Sequence, residues 1–144
     1  MFSLSKTAFY LITFFSLSTA MIVFEQATLP QTTSEMYTLA EVHIETNGLK
    51  TPTNQFSQDG CSLFFDSIPF HDFRTACLNH DIKYWSGGSK EERREADLAL
   101  KEEIKNTGPA GTVLAPIMYA GVRLFGDSII TKVVGANWGY GWDH

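Results

Sequence analysis

The chain is poor in cysteine, with 2 among 144 residues, and it lacks an excess of base: 11 Lys/Arg stand against 16 Asp/Glu, a formal charge of −5. Two cysteines exclude a cysteine-dense miniprotein, whose small core needs several staples. The acidic balance argues against a non-specific phosphate-backbone binder, so no nucleic acid is expected as partner. It weighs equally against adsorption to anionic lipid by charge alone. Internal repeats and low-complexity tracts are absent. At 44% hydrophobic residues the chain is neither disordered nor collagen-like, and its length suits one domain of about 100–150 residues.

The amino terminus accounts for part of the apolar fraction. Lys6 is the one charge before Glu25, and Ala8 to Phe24 is apolar apart from Thr13, Ser16, Ser18 and Thr19. A lone cation, an apolar stretch and the small residues Ser18-Thr19-Ala20 predict a signal peptide over residues 1–20, cleaved after Ala20. Met21 to Phe24 prolongs the apolar run to the low end of the length that spans a bilayer, so an uncleaved anchor reaching about residue 24 is the alternative. Both readings export the rest of the chain, as a secreted or periplasmic protein or a membrane-anchored one, into a compartment that permits a disulfide. Residues 25–58 carry weak signals and read as a tether, or as an arm lying on the domain; Tyr37 to Glu45 suits a short strand or a frayed helix.

From Asp59 onward the pattern sharpens. Phe70, Phe73, Cys77, His80 and Tyr84 recur at three- and four-residue steps, the mark of one helix face, with His71 or Asp72 as the start and Gly87-Gly88 as the stop. Ser89 with Glu92 forms a capping box that opens a second helix, stopped by Gly108-Pro109. Glu91 and Glu92 in its first turn and Lys105 in its last complement the helix dipole. The expected unit is an antiparallel helix pair.

On the second helix Asp97 shares the apolar stripe of Ala96, Leu100 and Ile104. A carboxylate between helices needs a partner, because leaving it bare costs several kcal/mol. His80 on the first helix is about as far from the Gly-Gly turn, so the two meet in an antiparallel pair. A structural ion pair is the plainer reading of such a couple. Asp81 follows His80 and points about 100° around the helix, where its carboxylate can bind what the histidine also faces. Upstream, Cys61 and Cys77 are sixteen residues apart, and closing that loop would restrict the unfolded chain by roughly 3 kcal/mol. It would also pin the segment around Cys61 beside Asp81, where carbonyl oxygens suit a calcium ion; a plain staple is equally compatible with the spacing.

Cys77-Leu78-Asn79-His80-Asp81-Ile82-Lys83-Tyr84 resembles the active-site helix of the secreted phospholipase A2 superfamily, Cys-x-x-His-Asp-x-x-Tyr. The cysteine spacing is similar to that of the bond joining that family's calcium loop to this helix. Asp59-Gly60-Cys61-Ser62 is similar to the loop start of its divergent, disulfide-poor branches. Residues 59–104, roughly a third of the chain, carry the resemblance. It implies a phospholipase A2-like domain over residues 59–144, all-α, with two antiparallel helices anchored by a Cys61–Cys77 disulfide and a third, carboxyl-terminal helix. It further implies that His80 is the general base on water attacking a phospholipid ester, that Asp97 and the Tyr84 hydroxyl orient His80, and that Asp81 holds Ca²⁺. The carbonyls of Gly60, Ser62 and Phe64 would complete the calcium site, and the partner would be a phospholipid membrane or lipid aggregate. No Gly-x-Ser-x-Gly occurs, in keeping with water as the nucleophile.

The loop departs from the commoner family pattern. Ser62-Leu63-Phe64-Phe65-Asp66 stands where glycines usually follow the cysteine, and Asp66 is either a direct carboxylate ligand or solvated. Ala76 and Lys83 stand where further cysteines are common, which removes staples without removing chemistry. The alternative function is a non-catalytic lipid- or protein-binding module on the same scaffold; a purely structural exported domain is a third reading. In the carboxyl-terminal part, Thr112 to Phe125 reads as the third helix, with Pro116 in its first turn and Gly126 at its stop. Trp138-Gly139-Tyr140-Gly141-Trp142 covers the end of a small core or dips into a lipid interface. His43, His71 and His144 belong to no constellation, and His71 with His80 lacks zinc spacing.

Overall fold

The computed structural model describes residues 33–58, 60–61 and 64–143. The expected export segment, Asp59, Ser62, Leu63 and His144 lie outside the described residues. Among the described residues the fold is mostly helical, with one two-stranded hairpin. None of these helices is long and apolar enough to cross a membrane.

Helix α1 spans Thr33–Asn47, so of the two conformations open for Tyr37 to Glu45 the helix is the one found. Its own periodicity is faint. What holds it is Ala40 and Ile44, four residues apart, buried in one cluster with Phe56, Leu78, Ile82 and Trp85.

Strands β1 (Ser67–Ile68) and β2 (His71–Asp72) pair antiparallel, Ser67 opposite Asp72 and Ile68 opposite His71. This hairpin corrects the amino-terminal end of the expected helix face. Phe70 sits at the hairpin tip, fully exposed at 102% with φ of 67°, and not on a helix. Pro69 fixes φ at the first corner of the turn, and the next position of such a turn takes positive φ, which falls on Phe70. Helix α2 therefore begins after the hairpin and spans Arg74–Ser86. Neither His71 nor Asp72 is its first residue; the Asp72 carboxylate instead accepts the Arg74 backbone N–H at 3.0 Å.

Gly87 ends α2, and α3 spans Lys90–Lys105 behind the expected capping box: Glu92 N–H donates to Ser89 Oγ, and Ser89 N–H to Glu92 Oε2. The pair is antiparallel, since Tyr84 meets Arg93, His80 meets Asp97 and Asn79 meets Glu103. Helix α4 spans Pro109–Phe125, with Gly126 as its cap. Its first-turn proline is Pro109, whereas Pro116 lies inside the helix, a correction to the expected place of Pro116 in the first turn. Pro116 is exposed, so the backbone bond it forgoes leaves a carbonyl open to water. A short helix α5 (Ile129–Val134) follows, opened by a second box between Ser128 and Thr131. The main core gathers Phe73, the residue just before α2, with Ala76, Cys77, Leu100, Ile104, Ala115 and Met118 from α2, α3 and α4.

Candidate functional site

Helix α2 is buried on two sides. Leu78, Ile82 and Trp85 face the α1 cluster, while His80 and Tyr84 turn toward α3. The Cys61–Cys77 disulfide is formed, with Cα atoms 5.1 Å apart, and ties the Gly60-Cys61 segment to the turn of α2 just before His80.

His80 Nε2–H donates to Asp97 Oδ1 at 2.9 Å, and the Tyr84 hydroxyl donates to the same oxygen at 2.8 Å. Asp97 is 0% exposed and His80 7%. A carboxylate only accepts, so this contact puts the proton on Nε2 and leaves Nδ1 as the ring nitrogen able to take one. The His80 and Tyr84 rings lie 4.2 Å apart, centre to centre.

Two arginines that sequence reasoning passed over complete the cluster. Arg123, in the last turn of α4, donates from Nη1 to Asp97 Oδ2 at 2.7 Å. Arg93, in the first turn of α3, donates from Nε to the Tyr84 hydroxyl at 3.3 Å and from Nη2 to the carbonyls of Val122 and Arg123. Burial alone pushes the Asp97 carboxyl up, but hydrogen bonds from His80, Arg123 and Tyr84 together hold it below its ordinary value. Burial drives the Tyr84 phenol well above its usual range, so it stays a neutral donor.

Beside this cluster opens a cavity of about 630 Å³. His80, Asp81, Gly60, Cys61, Phe64 and Tyr84 form its polar and loop side. Its other wall is aliphatic and aromatic, from Ile117, Met118, Val122, Leu124 and Phe125 of α4 and Ile130 and Val134 of α5. Leu124, Ile129, Ile130, Val133 and Val134 are all more than 60% exposed, an apolar collar contiguous with that wall.

The structure thus brings Gly60, Phe64 and Asp81 to one cavity with His80, while Ser62 lies outside the described residues. Asp66, for which ligation and solvation were the two expectations, is exposed and accepts the Cys61 backbone N–H through Oδ1 at 2.9 Å. Gly60 takes φ of 73°, and a Cβ there would stand 2.5 Å from the same Asp66 oxygen, so the loop needs glycine at this point. Among the described residues no three His, Cys, Asp or Glu side chains gather as a metal cluster. One carboxylate with backbone carbonyls makes no such cluster, yet it is an all-oxygen donor set that fits a hard cation such as Ca²⁺. His71 is engaged elsewhere, donating from Nδ1 to the Thr107 carbonyl at 2.9 Å. His43 lies on α1, where burial first and Lys83 second hold its imidazole below the ordinary range.

The aromatic tail folds back on the end of α2. Gly139 N–H donates to the Tyr84 carbonyl, Gly141 N–H to Trp85, the Trp142 indole to Ser86 and the Trp138 indole to Gly88. These donors satisfy carbonyls that a helix end otherwise leaves without partners. Tyr140 donates its hydroxyl to the Ser57 carbonyl and lines the cavity.

A scan of protein-family models and searches of curated proteins and of solved structures returned no match to this chain.

Proposed function

We propose that this protein is a calcium-dependent, phospholipase A2-like hydrolase that cleaves an ester bond of a phospholipid. The observation that carries the proposal is the buried His80–Asp97 pair, with Nε2 committed to the carboxylate, standing on the wall of a 630 Å³ cavity shared with Asp81. In this reading Nδ1 of His80 takes the proton from a water molecule as its oxygen attacks the ester carbonyl. The buried Asp97 carboxylate holds the ring in place and supports the imidazolium that forms; Tyr84, kept neutral, fixes the carboxylate from a second direction. The imidazolium then returns its proton to the leaving oxygen. Asp81 and the carbonyls of Gly60 and Phe64 would hold Ca²⁺, which when bound polarises the carbonyl and stabilises the oxyanion. The aliphatic wall suits an acyl chain.

The lipid is presented, in this proposal, by a membrane or aggregate that meets the α4–α5 collar. Contiguous exposed aliphatics of this size mark a contact surface. The segment Pro109–Val134 carries two bases, Arg123 and Lys132, against one acid, Asp127, in a chain of net charge −5. Both bases are paired, Arg123 with Asp97 and Lys132 with Asp127, so this contact rests on apolar burial and not on charge. The tail is the weaker candidate for this contact, because both of its indole N–H groups are spent on α2 and on Gly88.

Fatty-acid release from mixed phospholipid vesicles tests the proposal. Release that requires calcium and disappears in His80→Gln and in Asp81→Ala supports it. No release by the wild type, together with unchanged lipid binding in His80→Gln, sinks it. The collar favours a second reading, a lipid-binding module without turnover, which calorimetry identifies as lipid binding indifferent to calcium.

A further inference from the structure

The Asp97 carboxylate has two oxygens, and they are served differently. Oδ1 receives both His80 and Tyr84, from one face of α2. Oδ2 receives Arg123, which stands at the far end of α4 and is 26 residues away in sequence. Asp97 is wholly buried, whereas the Arg123 side chain is 33% exposed. A carboxylate held through one oxygen alone is free to rotate about its Cβ–Cγ bond, and rotation carries Oδ1 away from the imidazole. The planar guanidinium on Oδ2 blocks that rotation.

Arg123 is itself secured at the backbone. Arg93 Nη2 donates to its carbonyl at 3.3 Å and to that of Val122 at 3.1 Å, while Arg93 Nε reaches the Tyr84 hydroxyl. Gly126, three residues on, lies against the same hydroxyl. The last turn of α4 is therefore clamped to the His80–Asp97–Tyr84 cluster at several points. That same turn carries Leu124 and Phe125 of the cavity wall.

We propose that Arg123 is a positioning residue for His80: by holding Asp97 Oδ2 it fixes the plane of the carboxylate, keeps Oδ1 on Nε2, and so keeps Nδ1 turned to the cavity. Only the kinetic half of this proposal rests on the hydrolytic reading.

The test uses the full chain with Arg123→Gln and Arg123→Lys. The first readout is the proton resonance of His80 Nε2–H, assigned by its absence in His80→Gln and shifted downfield by its bond to a buried carboxylate. It is expected to move upfield or broaden in Arg123→Gln at unchanged backbone spectrum, with Arg123→Lys between that variant and the wild type, because an ammonium keeps the charge and loses the planar, directed N–H donor. The second is vesicle hydrolysis at saturating calcium, where kcat should fall roughly ten- to a hundredfold in Arg123→Gln with KM unchanged. If Arg123→Gln does not fold, Arg123→Lys decides by the same resonance: moved supports the proposal, unmoved overturns it. A wild type without turnover whose resonance still depends on Arg123 retires the hydrolytic reading and keeps this one. A resonance indifferent to both substitutions makes Arg123 a surface ion pair and overturns the proposal.

Discussion

Gly126 and Tyr84 are in contact so close that a Cβ on the glycine would stand 2.3 Å from the tyrosine hydroxyl. The backbone at Gly126 has an ordinary helical φ of −62°, so conformational freedom is not what this position requires. The space is. Gly126→Ala is expected to push the Tyr84 hydroxyl off Asp97 or the end of α4 off α3, at a cost of about 1–3 kcal/mol. Urea denaturation measures the loss; stability within error of the wild type would mean that the contact relaxes at no cost.

Asp97 makes acid stability a second test. Its carboxyl is depressed in the folded protein, so the unfolded chain binds the proton more readily. The stabilisation is complete above the unfolded value of about 4 and drains away as pH falls through the folded one. Asp97→Asn should be about 1–3 kcal/mol less stable at neutral pH, because it strips the charge that pairs with Arg123, whose side chain is a third exposed and keeps part of its hydration. Its stability should also change less steeply below about pH 4 than that of the wild type. Urea melts from neutral pH down to about pH 2 compare the two slopes, and equal slopes would place the acid sensitivity elsewhere.

The disulfide predicts a loss confined to one side of the molecule. Cys61→Ser with Cys77→Ser should lower stability by about 3 kcal/mol through the freed sixteen-residue loop. Helix α2 should persist, since Leu78, Ile82 and Trp85 remain packed under α1. Far-ultraviolet circular dichroism with urea melts reads both; loss of helix content at neutral pH would show that the bond, and not packing, maintains α2.

The collar gives the fourth prediction. Ile130 and Val133 are 64% and 83% exposed, so Ile130→Glu with Val133→Glu should alter folding stability by no more than about 0.5 kcal/mol per site. Binding to phospholipid vesicles should weaken at least about tenfold, since each residue forfeits on the order of 1–2 kcal/mol of apolar burial. Co-sedimentation measures it, and undiminished binding would move the lipid contact off α5.

Much of the helix pair was legible in the sequence because its signals are local. The Ser89–Glu92 box and the Gly87 stop each act within one turn of backbone, and both are found where the pattern puts them. The meeting of His80 with Asp97 follows from the same bookkeeping of equal distances from a short turn. Phe70 shows the limit of periodicity. Its spacing matches the helix face, but a Pro69-centred turn precedes that face and sends the ring into solvent.

The rest was decided by partners far off in the chain. Helix α1 is held by Leu78, Ile82 and Trp85, so Ala40 and Ile44 alone announce little. Arg93 and Arg123 look, by sequence, like solvated helix cations; only the approach of the end of α4 to α3 makes them donors to Tyr84 and Asp97. The aromatic tail likewise reads as cover for the end of a small core or as a lipid contact, and the carbonyls of α2 that claim its N–H groups decide for the first. Local backbone chemistry determined the helices of the pair, their ends and the register of His80 against Asp97. The tertiary structure alone decided what shares the carboxylate, because a buried charge is satisfied by whatever donor the packing brings to it, however distant in sequence.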